Sequence, residues 1–233
     1  MALLELRNVT KSFGGIKAVN DISMEVEKDS IHGLIGPNGA GKTTIFNLIT
    51  GIYKVTSGNI IFEDKKIENS QTYKVAEAGI TRTFQNIRLF KKLTVYENIL
   101  TACHYNASYN IPDAIFRNPR YRREEKMLVS QAGELMDILD LKDRKDLRAN
   151  NLPYGLQRRL EIARALALKP KLLLLDEPAA GLDPAGRDEI LGYANHLRIM
   201  GVTVILVSHS MEDIARLCDR VLVLNNGRVH TIG

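Results

Sequence analysis

Gly36-Pro-Asn-Gly-Ala-Gly-Lys42-Thr43 constrains this chain more than any other segment, because it matches G-x-x-x-x-G-K-[ST] at every fixed position. The run Ile31-His-Gly-Leu-Ile35 before it reads as a short buried strand, and Lys42 to Ile49 after it favours a helix. Strand, glycine-rich turn and helix in that order build a phosphate cradle. Glycines at 36, 39 and 41 let the backbone curl round an anion without Cβ clashes, so successive N–H groups can point inward. The helix beginning near Lys42 adds its positive dipole end. Lys42 places a cation on the β and γ phosphates, and Thr43 offers a hydroxyl to the magnesium that bridges them. Pro37, Asn38, Ala40 and Thr44 belong to the same cradle. The plain alternative is a glycine-rich turn that matches by coincidence.

A second segment supplies the charge that magnesium needs. Leu172 to Leu175 read as a buried strand that delivers Asp176 and Glu177 to its carboxyl end, the edge where such sheets bind ligands. Asp176 is placed to hold the metal, and Glu177 to accept a proton from the attacking water or hold it in line. Taken alone, an acidic pair after an apolar run is more often a helix cap. The phosphate loop in the same chain favours catalysis.

The rest of the chain fits an α/β fold with a mainly parallel sheet covered by helices. Leu3 to Thr10 alternate as a strand does, with Leu4, Leu6 and Asn8 expected on one side, and Ile22, Met24 and Val26 repeat the pattern. The middle, residues 86–150, changes character. Helices are expected over Leu93 to Tyr105 and Glu124 to Leu139, joined by a connection holding Pro112 and Pro119, so this stretch reads as a helical insertion in one domain spanning 1–233. Beyond it come a helix at Gln157 to Leu168, a helix after Pro184, a strand at Val202 to Val207 and a strand-like pair around Asn225 to Thr231.

Composition narrows the function by exclusion. The longest apolar run, Leu172 to Leu175, is far short of the roughly 20 residues that span a bilayer, and no signal peptide opens the chain, so a cytosolic location is expected. Cys103 and Cys218 lack any metal-ligand spacing and read as ordinary thiols. The net charge of +5 would suit nucleic acid or an anionic membrane, but cations are spread along the chain except at Arg117 to Lys126. That cluster includes two glutamates and reads as a solvated helix start or loop, with a lipid or partner contact as the other reading.

Further segments, in order, resemble the ATP-binding-cassette family, and the resemblance covers nearly the whole chain. Phe13 resembles the aromatic on which that family stacks adenine, with Val19 counted beside it. Gln85 in TRTFQN resembles the glutamine that senses magnesium and the γ-phosphate, and Ala180-Gly-Leu-Asp183 the loop that crosses the dimer interface. His209 in LVSHS resembles the histidine that contacts the γ-phosphate. Alone, Phe13 would be a core residue, Gln85 a loop residue and His209 either packing or function. Leu152-Pro-Tyr-Gly-Leu156 stands where the family's signature usually reads Leu-Ser-Gly-Gly-Gln, so Pro153 and Leu156 are departures, while Tyr154 and Gly155 still offer backbone donors to a partner's nucleotide.

The resemblance implies a phosphate-loop NTPase core, an N-terminal antiparallel β subdomain and an inserted α-helical subdomain. It implies ATP and Mg2+ as ligands, a second like or unlike cassette facing this one head to tail, and membrane permease subunits coupled through the stretch after Gln85. An extracytoplasmic solute-binding protein would act indirectly, and no nucleic acid is expected. The protein would sit peripherally on the cytoplasmic face of the membrane. GITRTFQNIRLFKKLTVYENIL and the Tyr154 variant look most similar to ATPase subunits of branched-chain amino-acid importers. Relatives usually continue through another helix after the point where Gly233 stands, so a shortened chain is expected. The alternative from another class is a soluble cassette ATPase acting on nucleic acid or the ribosome. Such relatives usually carry two cassettes or a long coiled coil, and Pro112 and Pro119 break this insertion too early for one. A small-molecule phosphoryl-transfer kinase would leave the signature region, Asp183 and His209 without a role.

Overall fold

The computed structural model describes residues 2–233. Strands β1 (Ala2–Phe13) and β2 (Ile16–Glu27) form a long antiparallel hairpin, followed by β3 (Ile31–Ile35) and helix α1 (Lys42–Ile49). Next come β4 (Ser57–Phe62), the two-residue β5 (Lys65–Lys66), α2 (Thr72–Ala78) and β6 (Ile80–Arg82). Asn8 departs from the alternation expected of β1. It is exposed with φ 51° where the register shifts between Leu6 and Val9, so Val9 takes the buried position instead.

Residues 86–169 form a compact helical unit. Helix α3 (Val95–Cys103) opens on a capping box: Glu97 N–H donates to Thr94 Oγ1 at 3.1 Å and Thr94 N–H to Glu97 Oε2 at 2.8 Å. The connection after it contains a short helix the composition concealed, α4 (Ile111–Phe116), boxed in the same way by Asn110 and Asp113. Helix α5 (Pro119–Ile138) starts on Asn118 with proline in its first turn, so the Arg117 to Lys126 cluster is a helix start. Helix α6 (Tyr154–Ala167) packs on α3 and α5, which draws the compact unit past residue 150 to Lys169.

The other unit, residues 1–85 with 170–233, is completed by β7 (Leu172–Asp176), α7 (Pro184–Ile199), β8 (Thr203–Val207), α8 (Met211–Leu217), β9 (Arg220–Asn225) and β10 (Arg228–Ile232). It holds two sheets. One is antiparallel, in the order β2-β1-β4-β5. The other runs β10-β9-β3-β8-β7-β6 and is parallel except for β10 at its edge. The expected mainly parallel sheet and N-terminal antiparallel sheet are thus present. Leu4, Leu6 and Ile22 from one sheet, Phe46 and Ile49 from α1, and Leu172, Leu174, Ile205 and Leu222 from the other share one core. Strand β7 is apolar on both faces because both are covered, as parallel strands require. No helix among the described residues is long and apolar enough to cross a membrane.

Candidate functional site

Gly36 to Gly41 pass from the carboxyl end of β3 into α1, as the phosphate-loop reading requires. A Cβ on Gly36 would lie 2.3 Å from Leu224 O, and one on Gly41, at φ 106°, would lie 2.7 Å from Ala18 O. Only glycine lets β9 and β2 approach the loop this closely. The tip of the β9–β10 hairpin braces it further. Asn226 and Gly227 both have positive φ, at 47° and 72°, the geometry of a two-residue hairpin turn. Gly227 N–H donates to Ala40 O at 3.1 Å while Gly227 O accepts from Asn20 N–H at 2.7 Å.

Lys42 is nearly buried, and its Nζ donates to Gly36 O at 2.6 Å and Pro37 O at 3.1 Å, so the cation sits over the loop. Burial lowers its pKa below 10.5; the charges of Glu177 and Asp176 pull the other way. Pro37, Asn38, Gly39 and Thr43 are exposed and Thr44 is half-buried, while Ala40 is packed inward.

At the carboxyl end of β7 the two acids diverge. Asp176 is buried and Glu177 turns outward with φ 49°, a left-handed conformation unusual for a residue with a side chain. Its amide donates to Val207 O at 3.0 Å, which fixes the turn. His209 Nε2 lies 2.6 Å from Glu177 Oε1, and Gln85 Nε2 donates to Glu177 Oε2 at 3.2 Å. The three residues assigned to catalysis therefore meet on one carboxylate. The candidate magnesium donors, the Thr43 hydroxyl, the Gln85 amide oxygen and the Asp176 carboxylate, are all oxygen, the set a hard divalent cation takes. That chemistry fits magnesium.

Other expected site residues have more local partners. Phe13 is exposed and meets Tyr53 edge-on, centroids 5.2 Å apart, with Lys11 Nζ 4.8 Å from its ring. It is an accessible aromatic surface. Val19, expected beside the nucleotide, is fully buried and packs in the core behind Gly41. Asp183 caps α7, accepting from Gly186 N–H at 3.3 Å. In the helical unit, Pro153 is the residue before the first turn of α6, and Tyr154 and Gly155 open that turn, where backbone N–H groups lack helical partners. The Tyr154 hydroxyl accepts from Arg158 Nη2 at 3.3 Å.

Two features escaped the sequence reading. A cleft of about 270 Å³ runs from Glu177 and His209 to Arg187 and Asp213, where Arg187 grips Asp213 with Nε at 2.9 and 3.0 Å and Nη2 at 2.6 Å, tying α7 to α8 below the histidine. The other is Arg82. Its Nη2 donates to Asp176 Oδ2 and its Nη1 to Asn47 Oδ1, both at 2.6 Å. An arginine closing the short strand Ile80–Arg82 was the available signal, but its partners lie far away in the sequence.

The ABC transporter family profile matches residues 19–180. The chain is 41% identical to the high-affinity branched-chain amino acid transport ATP-binding protein BraF of Pseudomonas aeruginosa, over 97% of this chain and 89% of that protein. The fold is similar to the ADP conformation of an ATP-binding cassette of an ABC transporter, with TM-score 0.87 and 33% identity over 100% of this chain and 91% of that one. It is also similar to a dimeric, post-hydrolysis cassette bound to ADP and phosphate, with TM-score 0.82 and 26% identity over 99% and 97%.

Proposed function

This chain belongs to the ABC transporter family and is an ATP-binding, ATP-hydrolysing subunit of that class; we propose that it powers import of branched-chain or other hydrophobic amino acids through a membrane permease. The observation that carries the catalytic part is the convergence of His209 and Gln85 on Glu177 in the unit that holds the phosphate loop. The solute rests on the transport proteins it resembles.

The backbone donors of Gly36 to Gly41 and the Lys42 ammonium hold the β and γ phosphates of ATP. Glu177 holds the attacking water in line and accepts its proton, and His209 and Gln85 fix both oxygens of that carboxylate. Mg2+, held by Thr43, Gln85 and Asp176, would neutralise charge developing on the phosphates. Tyr154 and Gly155 offer their amides to the nucleotide of a second cassette, and Asp183 lies on the loop that faces it. Phe13 gives adenine an aromatic face. The helical insertion, about residues 86–150, passes the state of the nucleotide to the permease, beginning with the segment after Gln85. The protein works peripherally on the cytoplasmic face of the membrane, with an extracytoplasmic solute-binding protein acting indirectly.

The test is co-purification with the permease subunits, reconstitution in vesicles, and ATPase assay with amino acids presented to the complex. Branched-chain amino acids should raise turnover. Turnover unmoved by any hydrophobic amino acid would sink the solute assignment, and failure to associate with any permease would sink the transport reading.

A further inference from the structure

We propose that Arg82 is a positioning residue that holds the magnesium-side carboxylate, Asp176, in register with the helix that follows the phosphate loop. The guanidinium bridges two elements at once. One nitrogen reaches Asp176 at the end of β7, the other reaches Asn47 in α1, each at 2.6 Å. Side-chain exposure is 6% for Arg82 and 5% for Asp176, so water screens the pair little. Phe46 and Phe84 flank the guanidinium, their ring centres 5.3 and 5.1 Å from its central carbon. The plane of the fork is therefore fixed by packing as well as by hydrogen bonds.

Stability alone is a poor account of this arrangement. A buried ion pair seldom outperforms apolar residues of similar volume, because desolvation consumes most of the attraction. Arg82 Nε is also buried without a hydrogen-bond partner, a further cost. What the arrangement does provide is orientation. Arg82 engages Oδ2 of Asp176, which leaves Oδ1 as the oxygen for the metal side, and the Asn47 contact relates that oxygen to the helix whose first residue is Lys42. Outer partners of this kind orient metal-binding carboxylates, and their loss weakens metal affinity about 10- to 100-fold.

The inference rests on the phosphate-loop reading, and the experiment separates the two. ATP binding by the isolated chain is measured by calorimetry in EDTA and then across a magnesium titration, for wild type, Arg82→Met, Arg82→Lys and Asp176→Asn. Arg82→Met should bind ATP in EDTA as wild type does, yet need about tenfold more magnesium for the metal-dependent gain in affinity. Arg82→Lys, which keeps the charge but cannot fork to both partners, should recover only part of that loss. In the Asp176→Asn background Arg82→Met should change nothing further. A folded Arg82→Met with wild-type magnesium dependence overturns the proposal, as does an equal loss with and without magnesium. Should Arg82→Met not fold, Asn47→Ala removes one anchor and leaves the pair, and unchanged magnesium dependence there overturns the proposal too. A wild type that binds no ATP under either condition sinks the phosphate-loop reading itself.

Discussion

Glu177 and His209 are joined at 2.6 Å although they follow different strands, β7 and β8, and the backbone of Glu177 is in a left-handed conformation where the contact is made. The carboxylate is thereby aimed away from the buried Asp176 beside it, and neighbouring acids take separate tasks. Glu177→Gln should keep ATP binding, because the phosphate contacts survive, and slow hydrolysis about 10²- to 10⁴-fold through loss of the proton acceptor. ATP-bound dimers should accumulate. Wild-type turnover by this variant in the assembled transporter would show that another group is the base.

Lys42→Ala removes the ammonium that bridges the Gly36 and Pro37 carbonyls. Nucleotide affinity should fall about 10- to 100-fold, the worth of one hydrogen bond from a charged group, about 1.5–3 kcal/mol. Circular dichroism should report an intact fold. Calorimetry giving an unchanged Kd for ATP would overturn the assignment of the loop.

Charge reversal at Arg88 or Lys91 should uncouple transport from ATP hydrolysis while nucleotide affinity stays put. Both residues are exposed, and the backbone at Arg88 is held separately, its carbonyl accepting from Arg164 Nη1, so side-chain substitution leaves that anchor in place. Transport by both variants at the wild-type rate would remove this surface from the coupling route.

His32 gives the fold an acid sensitivity. Burial holds its pKa below 6.5, Arg220 adds to the effect, and Glu27 and Asp219 oppose it. The unfolded chain takes up the proton more readily than the folded one, so His32 costs no stability above 6.5 and destabilises progressively as pH falls through that value towards the lower folded one. His32→Gln should flatten the decline in Tm as pH falls below about 6.5. An identical slope in wild type and variant would show that other groups set it.

Pro153→Ser separates two roles at the start of α6. Pro153 stands at the N-cap with φ −53° and ψ 151° and no side-chain cap, so a serine hydroxyl should stabilise the helix by about 1 kcal/mol without nucleotide. If the segment also grips a partner's γ-phosphate, ATP-dependent dimerisation in the Glu177→Gln background should tighten by about 1.5–3 kcal/mol before strain is subtracted. A higher Tm with unchanged dimerisation would leave Pro153 as a helix-start residue only.

What the sequence made legible was local. The phosphate loop, the β7 acids and α1 each lie in one continuous stretch whose periodicity or spacing carries its own physical reason. Asn8 escaped because a bulge breaks alternation without a distinctive residue, and α4 because its capping box spans only Asn110 to Asp113 inside a connection that holds Pro112. Val19 was placed by family position, and only packing shows that its side chain faces the core. Arg82 was out of reach for another reason. Its meaning depends on Asp176 and Asn47, whose distances from it along the chain follow no pattern.

The hairpin tip at Asn226 and Gly227 carries a consequence for biosynthesis. Ala40 leaves the ribosome early, while the amide that satisfies its carbonyl and the β9 carbonyl that backs Gly36 are translated long afterwards. A contact so distant along the chain cannot form until its second partner has been made, and its loop closure comes late. The nascent chain therefore exposes a phosphate-binding sequence well before it owns a phosphate-binding shape, and nucleotide capture should first become possible when β9 and β10 dock. Chains truncated before β9, compared with chains that carry β9 and β10 and each probed with a fluorescent nucleotide, should show binding only in the second.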